Sequence, residues 1–324
     1  MKKIKHCVLY STKFGRHDGP PLYYLNQLRK LPNTDVFHLI PEGDIRRFGK
    51  MNYWWWVDWG EDGLPVDHAW EIPKDGGKKI YIASDTHLGK EYRFKKAKNF
   101  NFVFFNQKRA LGEYQKENKF SFIPYVNNGI VFENIYRNIE IRQAVGWLPH
   151  AAEPEAYHPF EILKRWDVCF IGHVQTEKNY NGFTRVDALD RLFKEFPNFY
   201  YGTRSPLEEG KNLFEDAAKK YCQAKIVFNV SIKDDLNMRV QEVLATKSFL
   251  LTNWIPTLEE VYKDGVHLVT YKTLDEMVEK AKYYLTHDKE REKIALAGYK
   301  ECIAKHTYQE RVKKVLEVIG LPIK

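Results

Sequence analysis

A chain of 324 residues, 44% hydrophobic and 15% aromatic, holds enough apolar material for about two cores and is neither a single small module nor fibrous nor largely disordered. Mean hydropathy is −0.54, and no apolar run approaches the roughly 18 residues of a membrane helix, so a cytoplasmic protein without a membrane span is expected. The net charge of +8 is uneven: residues 1–150 carry 24 Lys/Arg against 16 Asp/Glu, and residues 151–324 carry 27 of each.

In the first half, residues 6–10, 35–40, 79–84 and 102–106 are short β-branched and aromatic runs that read as strands. Helical periodicity separates some of them, at 21–31 with Leu22, Leu25 and Leu28 in step, and at 91–98 in a basic segment. Near-continuous apolar strands alternating with helices predict parallel sheets covered on both faces. Residues 51–60 (MNYWWWVDWG) hold four of the eight tryptophans and read as a core strand or inter-domain packing before a ligand platform. Asp58, Glu61 and Asp62 keep the ligand alternative open. Residues 120–142 read as a hairpin around Asn127-Asn128-Gly129, since Asn-Gly supplies the positive φ of a tight turn.

The second half repeats the alternation. Strands are expected at 167–171, 198–201, 225–230, 249–252 and 267–270, with helices at 184–196, 208–222, 238–246 and 258–263, then three consecutive helices at 274–285, 289–305 and 308–319. Three prolines between 149 and 159 mark the join. The four cysteines (Cys7, Cys169, Cys222, Cys302) show no CxxC pair or framework spacing, so buried thiols are expected rather than disulfides or zinc.

In open α/β sheets, ligands gather at the carboxyl ends of the strands, where loops lead into helix N-termini. The segment 231–242 (SIKDDLNMRVQE) follows such a strand. Asn237 is a candidate N-cap, which would turn the first free amides of the next helix, beginning at Met238, toward a phosphate. Val240, Val243 and Leu244 form the expected buried stripe, with Arg239, Glu242 and Thr246 on the opposite face. Arg239 could meet the phosphate and Glu242 a ribose. The competing reading is a solvent-exposed Arg239/Glu242 ion pair.

Residues 225–252 (KIVFNVSIKDDLNMRVQEVLATKSFLLT), 258–271 (LEEVYKDGVHLVTY) and 291–312 (REKIALAGYKECIAKHTYQERV) resemble the C-terminal domain of CgeB-like glycosyltransferases, relatives of the family-4 type. The pieces 58–64 (DWGEDGL), 83–93 (ASDTHLGKEYR) and 147–159 (WLPHAAEPEAYHP) extend the likeness over most of the chain. The resemblance implies an α/β GT-B architecture of two Rossmann-like domains facing a cleft. Residues 1–153 would bind the acceptor and 154–306 the nucleotide-sugar, with 307–324 crossing back as a helix. It also implies two acidic residues with seven between them, the first at the donor sugar and the second at the ribose. Asp234 and Glu242 have that spacing, although Asp is one methylene shorter than the family's Glu, and Asp235 is a rival. Gly172 matches the glycine turn that admits the donor, with His173 and Lys178 in its loop, and Arg204 competes with Arg239 for the phosphates.

No cofactor or metal is required by this reading; the nucleotide-sugar, with a UDP-sugar as the expected form, is a co-substrate. An acceptor base would come from Asp85 or His87, a pair at a strand end in which His titrates near neutrality and a carboxylate can orient it. The alternative is that Asp85 caps the next segment and His87 packs between domains. The acidic pair resembles that of retaining enzymes, whereas a base at Asp85/His87 suits inversion, and both remain open. His150 could touch the sugar, and Arg93, with Asp58 and Trp59, could face the acceptor. The basic segment Lys90, Arg93, Lys95, Lys96 and Lys98 would suit an anionic acceptor such as modified DNA bases or a cell-surface polymer, unless it is an ordinary solvated face. The rival from another class is a non-catalytic nucleotide-sugar or nucleic-acid binding protein on the same scaffold. A dinucleotide-dependent dehydrogenase is disfavoured, because no GxGxxG follows a strand.

Overall fold

The computed structural model describes residues 3–9, 19–39, 49–58, 76–84, 86, 89–118, 122–127, 129–203 and 214–321. The chain divides into two units, Met1–Pro149 with Tyr308–Lys324, and His150–Thr307. The first opens with β1 (Ile4–Leu9), α1 (Pro20–Arg29), β2 (Thr34–Leu39), β3 (Tyr53–Val57) and β4 (Lys78–Ala83), and goes on with α2 (Lys90–Ala97), β5 (Phe102–Phe105), α3 (Lys108–Asn118), β6 (Phe122–Asn127), β7 (Ile130–Asn138) and β8 (Gln143–Trp147). They form one sheet in the order β2-β1-β3-β4-β5-β8-β7-β6. Neighbours from β2 to β8 run parallel, and the β6–β7 hairpin adds an antiparallel edge through β8. Gly129 has φ +78°, as the turn between β6 and β7 demands.

Within the tryptophan run, the described strand Tyr53–Val57 is core. β3 pairs along both edges, with β1 and β4, and Trp54 and Trp55, which point to opposite faces of the sheet, are 2% and 0% exposed. Trp55 Nε1 donates to His6 Nδ1 at 3.0 Å. That bond requires a bare Nδ1, and burial pushes His6 down to about 4. Since its folded value lies below its ordinary 6.5, the unfolded chain takes up the proton first as pH falls, and stability drains away between 6.5 and about 4. Chemical denaturation across that window should show a loss of about 3 kcal/mol that His6→Gln largely removes.

The second unit contains β9 (Trp166–Ile171), α4 (Arg185–Glu195), β10 (Phe199–Gly202), α5 (Phe214–Gln223), β11 (Ala224–Asn229) and α6 (Met238–Ala245). After these come β12 (Leu250–Asn253), α7 (Pro256–Glu259), β13 (Val269–Tyr271), α8 (Leu274–Thr286) and α9 (Asp288–Lys305), with α10 (Tyr308–Val318) closing the chain in the first unit. The second sheet is wholly parallel in the order β10-β9-β11-β12-β13. After β9 the chain first adds β10 on one side, then returns to add β11 on the other. The order therefore reverses between β9 and β11, and their carboxyl ends open the crevice in which doubly wound sheets take ligands.

Within the first unit, α10 sets Tyr308 against Tyr23 and Tyr24 of α1, with ring centroids 4.9 and 5.3 Å apart. Arg311 Nε donates to the Pro149 carbonyl at 2.8 Å. Several elements differ from the sequence expectation. α3 and β8 have no counterpart in it, and α7 occupies Pro256–Glu259 rather than 258–263, because Pro256 fits the first helical position. Among the described residues no helix is long and apolar enough to cross a membrane.

Candidate active site

At the β9/β11 crevice the focal side chain is Arg239 of α6, 7% exposed. Its Nε donates to the Ile171 carbonyl at 2.6 Å and its Nη1 to Asn229 Oδ1 at 2.7 Å, while the guanidinium lies 4.4 Å from the Phe170 ring centroid. The arginine of α6 is thus clamped between the last residues of β9 and β11. Asn229 is clamped in turn. Its Oδ1 also accepts from Asn237 Nδ2 at 3.1 Å, and its Nδ2 donates to Ser231 Oγ and Thr252 Oγ1 at 3.2 and 2.9 Å. A buried amide used on both ends in this way holds its neighbours in fixed positions. Gly172 follows β9, and a Cβ built on it would lie 1.9 Å from Arg239 Nη2. Glycine is required there by the approach of the arginine.

A second cation, absent from the sequence reading, joins the same place. Arg185, at the start of α4 and 7% exposed, donates from Nε to the Val230 carbonyl at 2.8 Å and from Nη1 to the His173 carbonyl at 3.0 Å. Thr184 and Asp187 close a reciprocal capping box that fixes this end of α4. The loop from β9 to α4 is tied to β12 as well, through Asn253, whose Oδ1 accepts from the Ser231 amide at 2.7 Å and whose Nδ2 donates to Asn181 Oδ1 at 3.0 Å. The polar residues that end β11 and β12 were the available sequence signal for this network.

Two expectations for α6 are corrected. Every residue of α6 from Met238 to Ala245 is buried, so Arg239 and Glu242 (1% exposed) share no solvent face, and the exposed ion pair is excluded. Asn237 does stand at the N-cap position with extended backbone, but its side-chain oxygen accepts no cap hydrogen bond, while its Nδ2 donates to Asn229. Its Oδ1 is buried without a hydrogen-bond partner. Asp234 and Asp235 are half-buried in the turn before α6, where Thr257 Oγ1 donates to the Asp234 carbonyl at 3.1 Å. The side chains of His173 and Lys178 are exposed, and His150 is buried at the start of the second unit. Asp85, His87, Trp59 and Arg204 lie outside the described residues.

In the first unit, Asp58 follows β3 and meets α2 rather than an acceptor. Its carboxylate accepts from Trp56 Nε1 at 2.8 Å, from Lys96 Nζ at 3.2 Å and from the Tyr81 hydroxyl, and lies 3.4 Å from Arg93 Nε. Burial pushes Asp58 upward, but the Lys96 and Arg93 charges with the Tyr81 and Trp56 hydrogen bonds outweigh it and hold the carboxyl below its ordinary value. The acceptor-facing roles expected of Asp58 and Arg93 give way to a mutual ion cluster.

The basic segment is divided: Arg93 and Lys96 serve Asp58, Lys90 lies 3.4 and 2.8 Å from Glu113 and Glu117 of α3, and Lys95 and Lys98 are exposed. Three of the five cations counted toward a polyanionic acceptor are thus engaged within the protein. The β6–β7 hairpin exposes the apolar side chains of Val126, Ile130 and Val131 near its turn. Asp58→Asn should cost about 2–4 kcal/mol in urea unfolding, because it leaves two nearly buried cations without their anion.

Residues 186–317 match the model of the glycosyl transferase-like family. No curated protein matches the chain in sequence. Among solved structures, sucrose-phosphate synthase from Thermosynechococcus elongatus is similar at 9% identity and a TM-score of 0.61, over 98% of this chain and 98% of that one. A UDP-forming α,α-trehalose-phosphate synthase from Burkholderia xenovorans, in complex with glucose-6-phosphate, gives 10% identity and 0.54, over 83% and 74%. A variant of S. aureus TarM in complex with fondaparinux, α-GlcNAc-glycerol and UDP gives 13% and 0.52, over 82% of this chain and 55% of TarM's, so the chain spans about half of TarM's length. The fold is the GT-B fold of these glycosyltransferases.

Proposed function

We propose that the chain is a GT-B glycosyltransferase that moves a sugar from a nucleotide-sugar to an acceptor hydroxyl, using the β9/β11 crevice as its donor site. The observation that carries this reading is Arg239, a buried guanidinium pinned to the ends of both strands at the point where the strand order reverses. Breaking the bond between the anomeric carbon and the β-phosphate oxygen leaves negative charge on the diphosphate, and a cation already fixed there stabilises that charge without reorganising. Arg185 adds positive field from α4, so the two guanidinium groups could carry the charge without a metal ion. Glu242, one turn along α6, takes the ribose hydroxyls, and Asp234 or Asp235, in the turn ahead of α6, the sugar. Asp85 and His87 stay the candidates for accepting the proton of the acceptor. The CgeB-like resemblance belongs to the same proposal. Four buried thiols (Cys7, Cys169, Cys222, Cys302), none in a disulfide, suit a reducing cytoplasm.

The TarM structure holds UDP and the trehalose-phosphate synthase is UDP-forming, so UDP-sugars come first in a panel with GDP- and TDP-sugars. A transferase releases the nucleoside diphosphate from one of them with and without EDTA. Thermal stabilisation by a donor with no release would instead establish the binding protein. Glu242→Gln, which keeps shape and removes charge, should weaken donor binding about tenfold by calorimetry. Unchanged affinity would remove Glu242 from the donor site.

A further inference from the structure

At the other end of the second sheet lies a cavity of about 580 Å³ lined by six cations, Lys164, Lys225, Lys247, Lys289, Arg291 and Lys293. Its position follows from the parallel strands. Lys225 opens β11, Lys247 and Phe249 precede β12, and Lys164 precedes β9, so the cavity sits at the amino ends of the strands whose carboxyl ends carry Arg239. The first two turns of α9 supply Lys289, Arg291 and Lys293.

Three carboxylates offset part of this charge. Asp167 pairs with Lys225 at 2.8 Å, Asp288 pairs with Arg291 at 2.7 Å, and Glu292 lines the cavity itself. Lys164 spends its ammonium on the Cys222 and Ala224 carbonyls at 2.9 and 2.7 Å, which hold the cation in place without neutralising it. Lys247, Lys289 and Lys293 pair with no carboxylate among the described residues, and all three are exposed at the rim. The balanced charge of residues 151–324 as a whole conceals this local excess of about three positive charges.

We propose that this cavity is a second ligand site, distinct from the donor crevice, that takes a small anion carrying two or more phosphate groups. Three uncompensated lysines around one concavity match several negative charges placed close together, which a single carboxylate does not provide. Lysine suits such a ligand, since each ammonium turns three donors toward whichever phosphate oxygens arrive, whereas the Arg291 fork is already occupied by Asp288 and the Tyr284 carbonyl. The amino end of α9 adds a favourable dipole at the same wall.

The test is a titration of the full chain with inorganic tripolyphosphate, free of divalent ions, at low and moderate salt. A saturable lysine-dependent site is expected in addition to whatever the donor crevice takes up, and it weakens as salt rises. The Lys247→Gln/Lys289→Gln/Lys293→Gln variant should bind at least about tenfold more weakly. Its unliganded melting temperature should hold, because the three side chains lie at the surface, and Lys289→Gln alone gives the same direction if the triple variant misfolds. In Arg239→Gln, which impairs the donor crevice, the lysine-dependent component of tripolyphosphate binding should persist. Absent binding, or binding lost in Arg239→Gln and kept in the lysine variants, would overturn the assignment. So would lysine-dependent sedimentation with phosphatidylglycerol vesicles by a chain that ignores tripolyphosphate, since the cluster would then serve a membrane surface.

Discussion

Arg239→Gln should lower kcat/KM for the donor about 10²–10³-fold while the protein stays folded. The size follows from what the guanidinium would do. It is 7% exposed, so its charge acts across little water, and its two hydrogen bonds to Ile171 and Asn229 fix its direction before any donor arrives. Glutamine retains a donor for one of those acceptors and brings no charge to the diphosphate. Arg239→Lys should recover only a small part of the loss, because one ammonium cannot reach both acceptors with the geometry of the fork. Nucleoside diphosphate release under steady state, with melting curves on the same samples, separates the outcomes. A folded Arg239→Gln with parental kcat/KM would make Arg239 a purely structural clamp.

How much of this was readable beforehand depends on how far each side chain reaches. Gly172 could be singled out because it follows a strand end, and Arg239 and Glu242 because they lie on the helix that opens after one. Arg185 was missed, since its partners are the Val230 and His173 carbonyls and only the folded sheet brings them within reach. The helical stripe misjudged α6 for a related reason. Counting polar residues as outward assumes one open face, but α6 is covered on every side, with Leu244 packed so closely to Gly298 of α9 that a Cβ there would approach it to 2.8 Å. The partner of Arg93 and Lys96 was hidden because no local pattern shows that Asp58, 38 residues before Lys96, folds against them. In each case the missing information was a contact between distant segments, which periodicity does not carry.

Gly172→Ala should reproduce most of the Arg239→Gln defect although the arginine is still present. The added Cβ would stand 1.9 Å from Arg239 Nη2 and 2.9 Å from its Cζ, closer than any real contact. Gly172 does not have positive φ, so alanine suits its backbone and the conflict is with the guanidinium alone. The guanidinium is the mobile end of a long side chain, hence the fold should yield there at a cost of about 1–2 kcal/mol. Yielding means leaving the Ile171 carbonyl and Asn229 Oδ1, and a displaced cation no longer meets the diphosphate. If that is the mechanism, Gly172→Ala and Arg239→Gln remove the same interaction, and the double variant should be no slower than Arg239→Gln alone. Losses that multiply would show that Gly172 serves the donor independently, through the approach of its own backbone.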